Sequence, residues 1–265
     1  MIARLPSGIG LAYDDAGSGA PLLLIHGWPH NRTIWSSQVS GLSTYARCIA
    51  PDLRGFGAST ARGPWSVEQL ADDLVSLLDV LKLDTVIACG LSMGGYVALA
   101  LARHHRERLR ALVLTGSRAA ADTPAASEKR ERLIELVERH GVEALADHQV
   151  RGMLSPRTLE SRSEVRETLR RIMASASPEG AIGGQRAMMA RPDASALVRT
   201  MRLPTLVVAG ADDVLAPAEE QRALASTIPG SRFEILSNAG HACALERPAA
   251  FNHALAEFLM SLERN

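Results

Sequence analysis

The sequence predicts an α/β protein built on one mainly parallel sheet. Two observations carry this reading: short, nearly unbroken apolar runs of the kind that fill strands buried on both faces, and helix-periodic segments lying between them. A third, the length of 265 residues, suits a single sheet with a large core. The runs are Leu22-Leu23-Leu24-Ile25, Cys48-Ile49-Ala50, Thr85 to Cys89, Ala111 to Leu114 and Leu206-Val207-Val208-Ala209. Ahead of them, Ile2 to Asp15 turns at Pro6-Ser7-Gly8 and reads as a strand hairpin at the sheet edge. The clearest helix starts at Ser66. Ser66 and Gln69 have capping-box spacing, and Val67, Leu70, Ala71, Leu74, Leu78 and Leu81 then recur on one helical face that must be buried on the sheet.

The alternation stops between Arg118 and Arg202. No strand signal appears there, whereas Glu128 to His140 and Ser163 to Ala174 read as helices, punctuated by Pro156, Pro178 and Pro192. Residues 119–202 therefore read as a helical cap, or lid, inserted into a core domain made of 1–118 and 203–265.

Composition excludes several function classes. Lys plus Arg and Asp plus Glu both number 29, so there is no field to gather nucleic acid or an anionic membrane surface. Thr85 to Ala102 is uncharged over 18 residues, approaching membrane-spanning length. Gly90, Ser92, Gly94 and Gly95 interrupt it, and a buried strand, a tight turn and a buried helix explain it better. Cys48, Cys89 and Cys243 form an odd set without CxxC spacing, which indicates neither a disulfide framework nor a zinc cluster. With no apolar export signal at Met1 to Gly8, a cytoplasmic location is expected.

Gly90-Leu91-Ser92-Met93-Gly94 matches G-x-S-x-G, follows an apolar strand run and opens the helix pattern Tyr96 to Ala102. That context makes Ser92 the candidate nucleophile. A serine hydroxyl needs a base to take its proton and a carboxylate to orient that base. In the strand-turn-helix arrangement the chain order is Ser, then acid, then His. His241, in Ser237-Asn238-Ala239-Gly240-His241 after the strand-like Phe233 to Leu236, is the candidate base. His253 precedes Glu257 by four residues on a helix and suits a solvated surface, while His104 and His105 end the helix after Ser92, where cations favour the dipole. Asp212 and Asp213 both follow the Leu206 to Ala209 strand. Asp213 is chosen for its D-x-x-x-P spacing to Pro217, leaving Asp212 as a turn residue. Thr115-Gly116-Ser117-Arg118, the other strand end that could supply an acid, contains none.

Acyl transfer also needs donors for the developing oxyanion. Met93 offers a backbone N–H at a helix N-terminus, and Trp28 in His26-Gly27-Trp28-Pro29 is the second donor, because Pro29 has no N–H. His26 precedes Ser92 and reads as structural. Met153, Leu154, Met188 and Met189, with Met173, are candidates for an apolar substrate pocket. Arg151 or Arg186 could meet a substrate carboxylate, though each reads better as a solvated arginine, and Cys243 reads as a packing residue.

Taken in order, His26-Gly27, Asp52-x-Arg54-Gly55-x-Gly57-x-Ser59, the Ser92 motif with Gly95, Gly210-x-x-Asp213 and Gly240-His241 resemble the α/β-hydrolase superfamily over nearly the whole chain. Cys89 to Gly95 is similar to the elbow of 3-oxoadipate enol-lactonases and small carboxylesterases, and Trp28-Pro29 is similar to cofactor-free haloperoxidases, esterases with perhydrolase activity. Superfamily members that cleave carbon–carbon bonds usually carry Asn where this chain has Leu91. Haloalkane dehalogenases and epoxide hydrolases carry Asp in place of Ser92. The resemblance implies a serine hydrolase acting on a small-molecule ester or lactone through an acyl-enzyme, with no cofactor and no metal. An acyltransferase and a ligand-binding receptor on the same scaffold are the alternatives, and turnover separates the receptor from the enzymes.

Overall fold

In the computed structural model, which describes residues 1–60 and 63–263, the predicted apolar runs become strands of one eight-stranded sheet. The strands are β1 (Ile2–Arg4), β2 (Gly10–Ala16), β3 (Pro21–Ile25), β4 (Arg47–Pro51), β5 (Val86–Leu91), β6 (Leu109–Thr115), β7 (Thr205–Gly210) and β8 (Arg232–Leu236). They lie in the order β1-β2-β4-β3-β5-β6-β7-β8. β2 runs antiparallel to both its neighbours, and every pairing from β4 to β8 is parallel. The predicted edge hairpin is β1 and β2, with Ile2 opposite Ala12. The sheet is thus mainly parallel and doubly covered, as unbroken apolar strands require.

Helices α1 (Ser36–Leu42) and α2 (Val67–Val80) precede β5, and α3 (Met93–His104) follows it. Between β6 and β7 come only helices: α4 (Pro124–Met153), α5 (Pro156–Ser161), α6 (Ser163–Ala174), α7 (Pro178–Ala190) and α8 (Ser195–Thr200). The chain then adds α9 (Ala218–Thr227), α10 (Cys243–Glu246) and α11 (Pro248–Glu263). Two apolar clusters form the core, one on each sheet face. Leu23 and Ile25 of β3 join the cluster of α2 and α3, while Leu22 and Leu24 join that of α1 and α11. The Ser66–Gln69 capping box is formed, and α2 buries Leu70, Leu74, Leu77 and Leu78. Each such side chain contributes about 1.5–3 kcal/mol of burial, so Leu74→Ala should cost roughly 2–5 kcal/mol.

The helical insertion is richer than its sequence periodicity suggested. Glu128 to His140 is only the first part of α4, which breaks at Gly141 (φ 80°, ψ 179°) and continues to Met153. Pro156 and Pro178, read as punctuation, instead open helices. α4, α5 and α7 each begin with a Thr or Ser whose side chain accepts the N–H three residues on, followed at once by Pro124, Pro156 or Pro178. Among the described residues no helix is long and apolar enough to cross a membrane.

Candidate active site

β5 is central, flanked by β3 and β6, so its C-terminal end has a neighbouring parallel strand end on each side. Ser92 sits there with φ 55° and ψ −115°, a conformation an L-residue adopts only under strain. The glycines of the motif permit this turn. A Cβ on Gly90 would lie 2.3 Å from the Gly94 carbonyl oxygen, and one on Gly94 would lie 2.2 Å from that of Ile25. Hydrogen bonds latch the turn to the end of β6. Ser92 N–H donates to the Thr115 carbonyl (2.8 Å), and Ser117 Oγ donates to the Ser92 carbonyl (2.7 Å). Ser117 is itself held by the fully buried Gln221, whose Nε2 donates to its carbonyl at 2.6 Å.

The loops after β7 and β8 are laced together by Ala211 N–H to the Leu236 carbonyl (2.9 Å) and Asp212 N–H to that of Ala239 (2.8 Å). This lacing brings Asp213 and His241 side by side. Asp213 Oδ2 accepts from His241 Nδ1 at 2.8 Å, and its Oδ1 takes the Leu215 and Ala216 N–H groups at 2.8 and 2.9 Å. Burial of Asp213 works against its charge, but His241 and those two backbone donors outweigh it and hold the carboxyl below the usual carboxylate range. Gly116 (φ 60°) supports the imidazole from the β6 side: a Cβ there would stand 2.8 Å from His241 Cε1. Ser92 and His241 are therefore both held against one strand end, Thr115 to Ser117. Asp212 is exposed, as is His253, which faces Glu257 at 3.4 Å, and His105 pairs with Asp72 at 2.7 Å.

The loop after β3 closes the third side. His26 uses both ring nitrogens: Nδ1 donates to the Gly27 carbonyl (2.8 Å) and Nε2 accepts from Leu53 N–H (2.9 Å). Asp52, fully buried, ties the same loop to the Arg54–Ser59 turn by accepting from Arg32 N–H (2.7 Å), Ala58 N–H (2.8 Å) and the Arg32 guanidinium. Gly27 touches the elbow, since a Cβ on it would lie 3.0 Å from the Leu91 carbonyl oxygen and 3.1 Å from Ser92 Cβ. Trp28 follows directly, with its indole N–H on the Ala181 carbonyl of α7 at 2.7 Å. Met93 is the first residue of α3, so its N–H belongs to the helix turn that has no intrahelical acceptor.

Of the pocket candidates, Met153 and Leu154 border the His241 loop. The Met153 carbonyl accepts from Ala242 N–H (2.9 Å), and the Leu154 backbone abuts Gly240. Met188 and Met189 lie on α7, where Met188 is buried with its sulfur 3.3 Å from Arg130 Nη1. Met173 is core, and Arg151 and Arg186 are exposed. Cys243 is buried with Sγ 3.3 Å from Thr115 Oγ1, and burial pushes its thiol up to about 12. Among the described residues no three His, Cys, Asp or Glu side chains converge in a way that could hold a metal ion.

Two residues at the site escaped sequence reasoning. Glu246 is fully buried and accepts from Gly240 N–H (2.6 Å), Ser155 N–H (2.9 Å) and Ser155 Oγ (2.8 Å), which fastens the His241 loop to the start of α5. Its signal was a carboxylate directly after the apolar stretch Ala242 to Leu245. His30, buried beside Gly27, carried no signal beyond its place after Pro29.

A family model described as alpha/beta hydrolase fold matches residues 20–248. A thermophilic esterase from Thermogutta terrifontis superposes with TM-score 0.96 at 39% identity, covering 99% of each chain. The 3-oxoadipate enol-lactonase 2 of Acinetobacter baylyi is 31% identical over 226 residues, 85% of this chain and 83% of that protein. A bromoperoxidase from Bacillus anthracis superposes with TM-score 0.86 at 26% identity, covering 98% of this chain and 100% of that one. The family model alone spans most of the sheet and the loops that carry Ser92, Asp213 and His241. The chain belongs to the alpha/beta hydrolase fold family.

Proposed function

We propose that the protein hydrolyses carboxylic esters or lactones through an acyl-enzyme on Ser92. The observation that carries this reading is the buried Asp213–His241 hydrogen bond, 2.8 Å long, at the same strand end as the strained Ser92 turn. With Nδ1 committed to Asp213, the imidazole keeps Nε2 to take the Ser92 proton as Oγ attacks the acyl carbonyl, and returns it to the leaving alcohol. Water, deprotonated by the same nitrogen, then releases the acid. Asp213 stays ionised throughout and steadies the imidazolium. The backbone N–H groups of Trp28 and Met93 serve as the oxyanion hole, where loss of one donor costs about 3 kcal/mol of barrier.

Residues 119–202 act as a cap over this site, with Met153 and Leu154 at its His241 side and Met188 and Met189 on α7. The Trp28 indole bond to Ala181 and the Glu246 bonds to Ser155 support that reading, since each ties a cap helix to a loop carrying a proposed catalytic group. The esterase and enol-lactonase relatives favour the same bond type. A peracid-forming esterase is the second reading, favoured by Pro29 after Trp28 and by likeness to the bromoperoxidase. Hydrolysis of p-nitrophenyl acetate and butyrate by wild type and Ser92→Ala tests the proposal. Turnover should vanish in Ser92→Ala, and equal rates in the two proteins would sink it.

A further inference from the structure

His30 is the one histidine near Ser92 whose hydrogen-bonding capacity is unspent. Its ring is buried, 1% exposed, and among the described residues neither Nδ1 nor Nε2 has a hydrogen-bond partner. Its Nδ1 lies near the elbow: the point where a Gly27 Cβ would stand is 3.4 Å from His30 Nδ1 and 3.1 Å from Ser92 Cβ. The backbone holds it there through His30 N–H to the Gly27 carbonyl at 3.0 Å. A buried imidazole with both nitrogens unmet forfeits hydrogen bonds it would make in water. At a reaction site, a bound ligand is one group that can supply the missing partners.

Resting on the Ser92 reading above, we propose that His30 is a substrate-binding residue that recognises a hydroxyl group next to the scissile carbonyl, so that the preferred substrates are esters or lactones of 2-hydroxy acids. A neutral imidazole offers one N–H donor and one lone pair, and a hydroxyl, which both donates and accepts, can engage either nitrogen. A carboxylate calls instead for a cation, and His30 is a poor one. Burial first, then the neighbouring His26 and His241, push its pKa down to about 3, so it stays neutral through the working range. Arg151 and Arg186, the cations considered for a substrate carboxylate, are exposed.

The test compares kcat/KM for ethyl 2-hydroxybutyrate, ethyl butyrate and monoethyl succinate in wild type, His30→Leu and His30→Gln, with thermal melting of each. The ratio of hydroxy ester to plain ester should fall at least about tenfold in His30→Leu, the penalty of leaving a buried hydroxyl unpaired. It should recover in part in His30→Gln, which again offers a donor and an acceptor. The Tm of His30→Leu should hold or rise, because an unsatisfied polar ring is replaced by an apolar side chain. A ratio unchanged in both variants, or a larger change for monoethyl succinate, overturns the proposal. So does a fall in Tm with equal loss on all three esters, which would mark His30 as structural and bonded to ordered water. Absence of turnover in wild type would instead sink the hydrolase reading itself.

Discussion

Glu246→Gln isolates the clamp behind His241 with almost no change of shape. The carboxylate gives one oxygen to Gly240 N–H and the other to both Ser155 N–H and Ser155 Oγ. Glutamine has one carbonyl oxygen and one NH2, so one side of the clamp must meet a donor where it had an acceptor. The cheaper orientation keeps Ser155 satisfied and strands Gly240 N–H, a buried bond to a charged acceptor worth about 1.5–3 kcal/mol. At about 2–4 °C per kcal/mol for a chain of this size, the Tm should drop by roughly 3–12 °C. Because Gly240 directly precedes His241, the imidazole also loses its fixed approach to Ser92. The drop in kcat on p-nitrophenyl butyrate should be about tenfold or more, with KM far less affected. Differential scanning fluorimetry and steady-state kinetics on the same preparations give both numbers. Melting within about 1 °C of wild type at unchanged kcat would show that Glu246 neither holds the loop nor positions the base.

Two further substitutions probe the insertion. In Gly184→Ala, the new Cβ would lie 2.6 Å from Trp28 Cδ1 and 3.0 Å from Phe56 Cζ, so α7 or the indole must give way. The cost is about 1–3 kcal/mol of stability, and kcat/KM falls about tenfold as the Trp28 N–H leaves the oxyanion position; destabilisation at unchanged kcat/KM would count against Trp28 as donor. Asp122→Ala leaves Arg191 buried without the carboxylate that it meets at 2.6 Å, and should cost about 3 kcal/mol in urea unfolding. Its pH dependence has a definite sign. Burial opposes ionisation of Asp122, but Arg130 and Arg191 outweigh it and lower its pKa, so the stabilisation is full above the unfolded value of about 4 and fades as pH falls through the lower native value. Wild type and variant should therefore converge in acid, and a constant gap down to pH 2 would contradict the assignment.

The fold was legible where burial and periodicity agree. Unbroken apolar runs marked β3 to β7, and the Ser66 box with its leucine stripe marked α2, because those elements are specified by local pattern. The insertion was legible in part: Ser163 to Ala174 is α6 and Glu128 to His140 lies within α4, but α7 departs from a simple stripe, carrying Gly180, Gly183 and Gly184 where it packs on Gly55, Trp65 and Trp28. Its start was nevertheless written in Ser177-Pro178, a cap and an N1 proline that read as a mere break. At the site, Asp213 and His241 were legible through chain order and turn spacing. Glu246 was not, because its partners, Gly240 and Ser155, come from different loops and meet only after the sheet has folded.

The same limit explains why three histidines of one residue type carry three different assignments. His26 spends both nitrogens on backbone, so it can neither shuttle a proton nor bind a ligand, and burial holds its pKa down despite the nearby charge of Asp52. His241 spends one nitrogen on Asp213, which fixes its orientation and leaves the other for chemistry. His30 spends neither. Hydrogen-bond bookkeeping at buried rings separates scaffold from proposed base and proposed recognition group, and it depends on contacts between loops that no spacing along the chain encodes. If it is correct, His26→Gln, which cannot reproduce both ring contacts, should act mainly on stability, while His30→Gln should act mainly on the ratio of hydroxy to plain esters. A reversal of those two effects would show that burial alone, and not the count of unmet nitrogens, determines what a histidine does at this site.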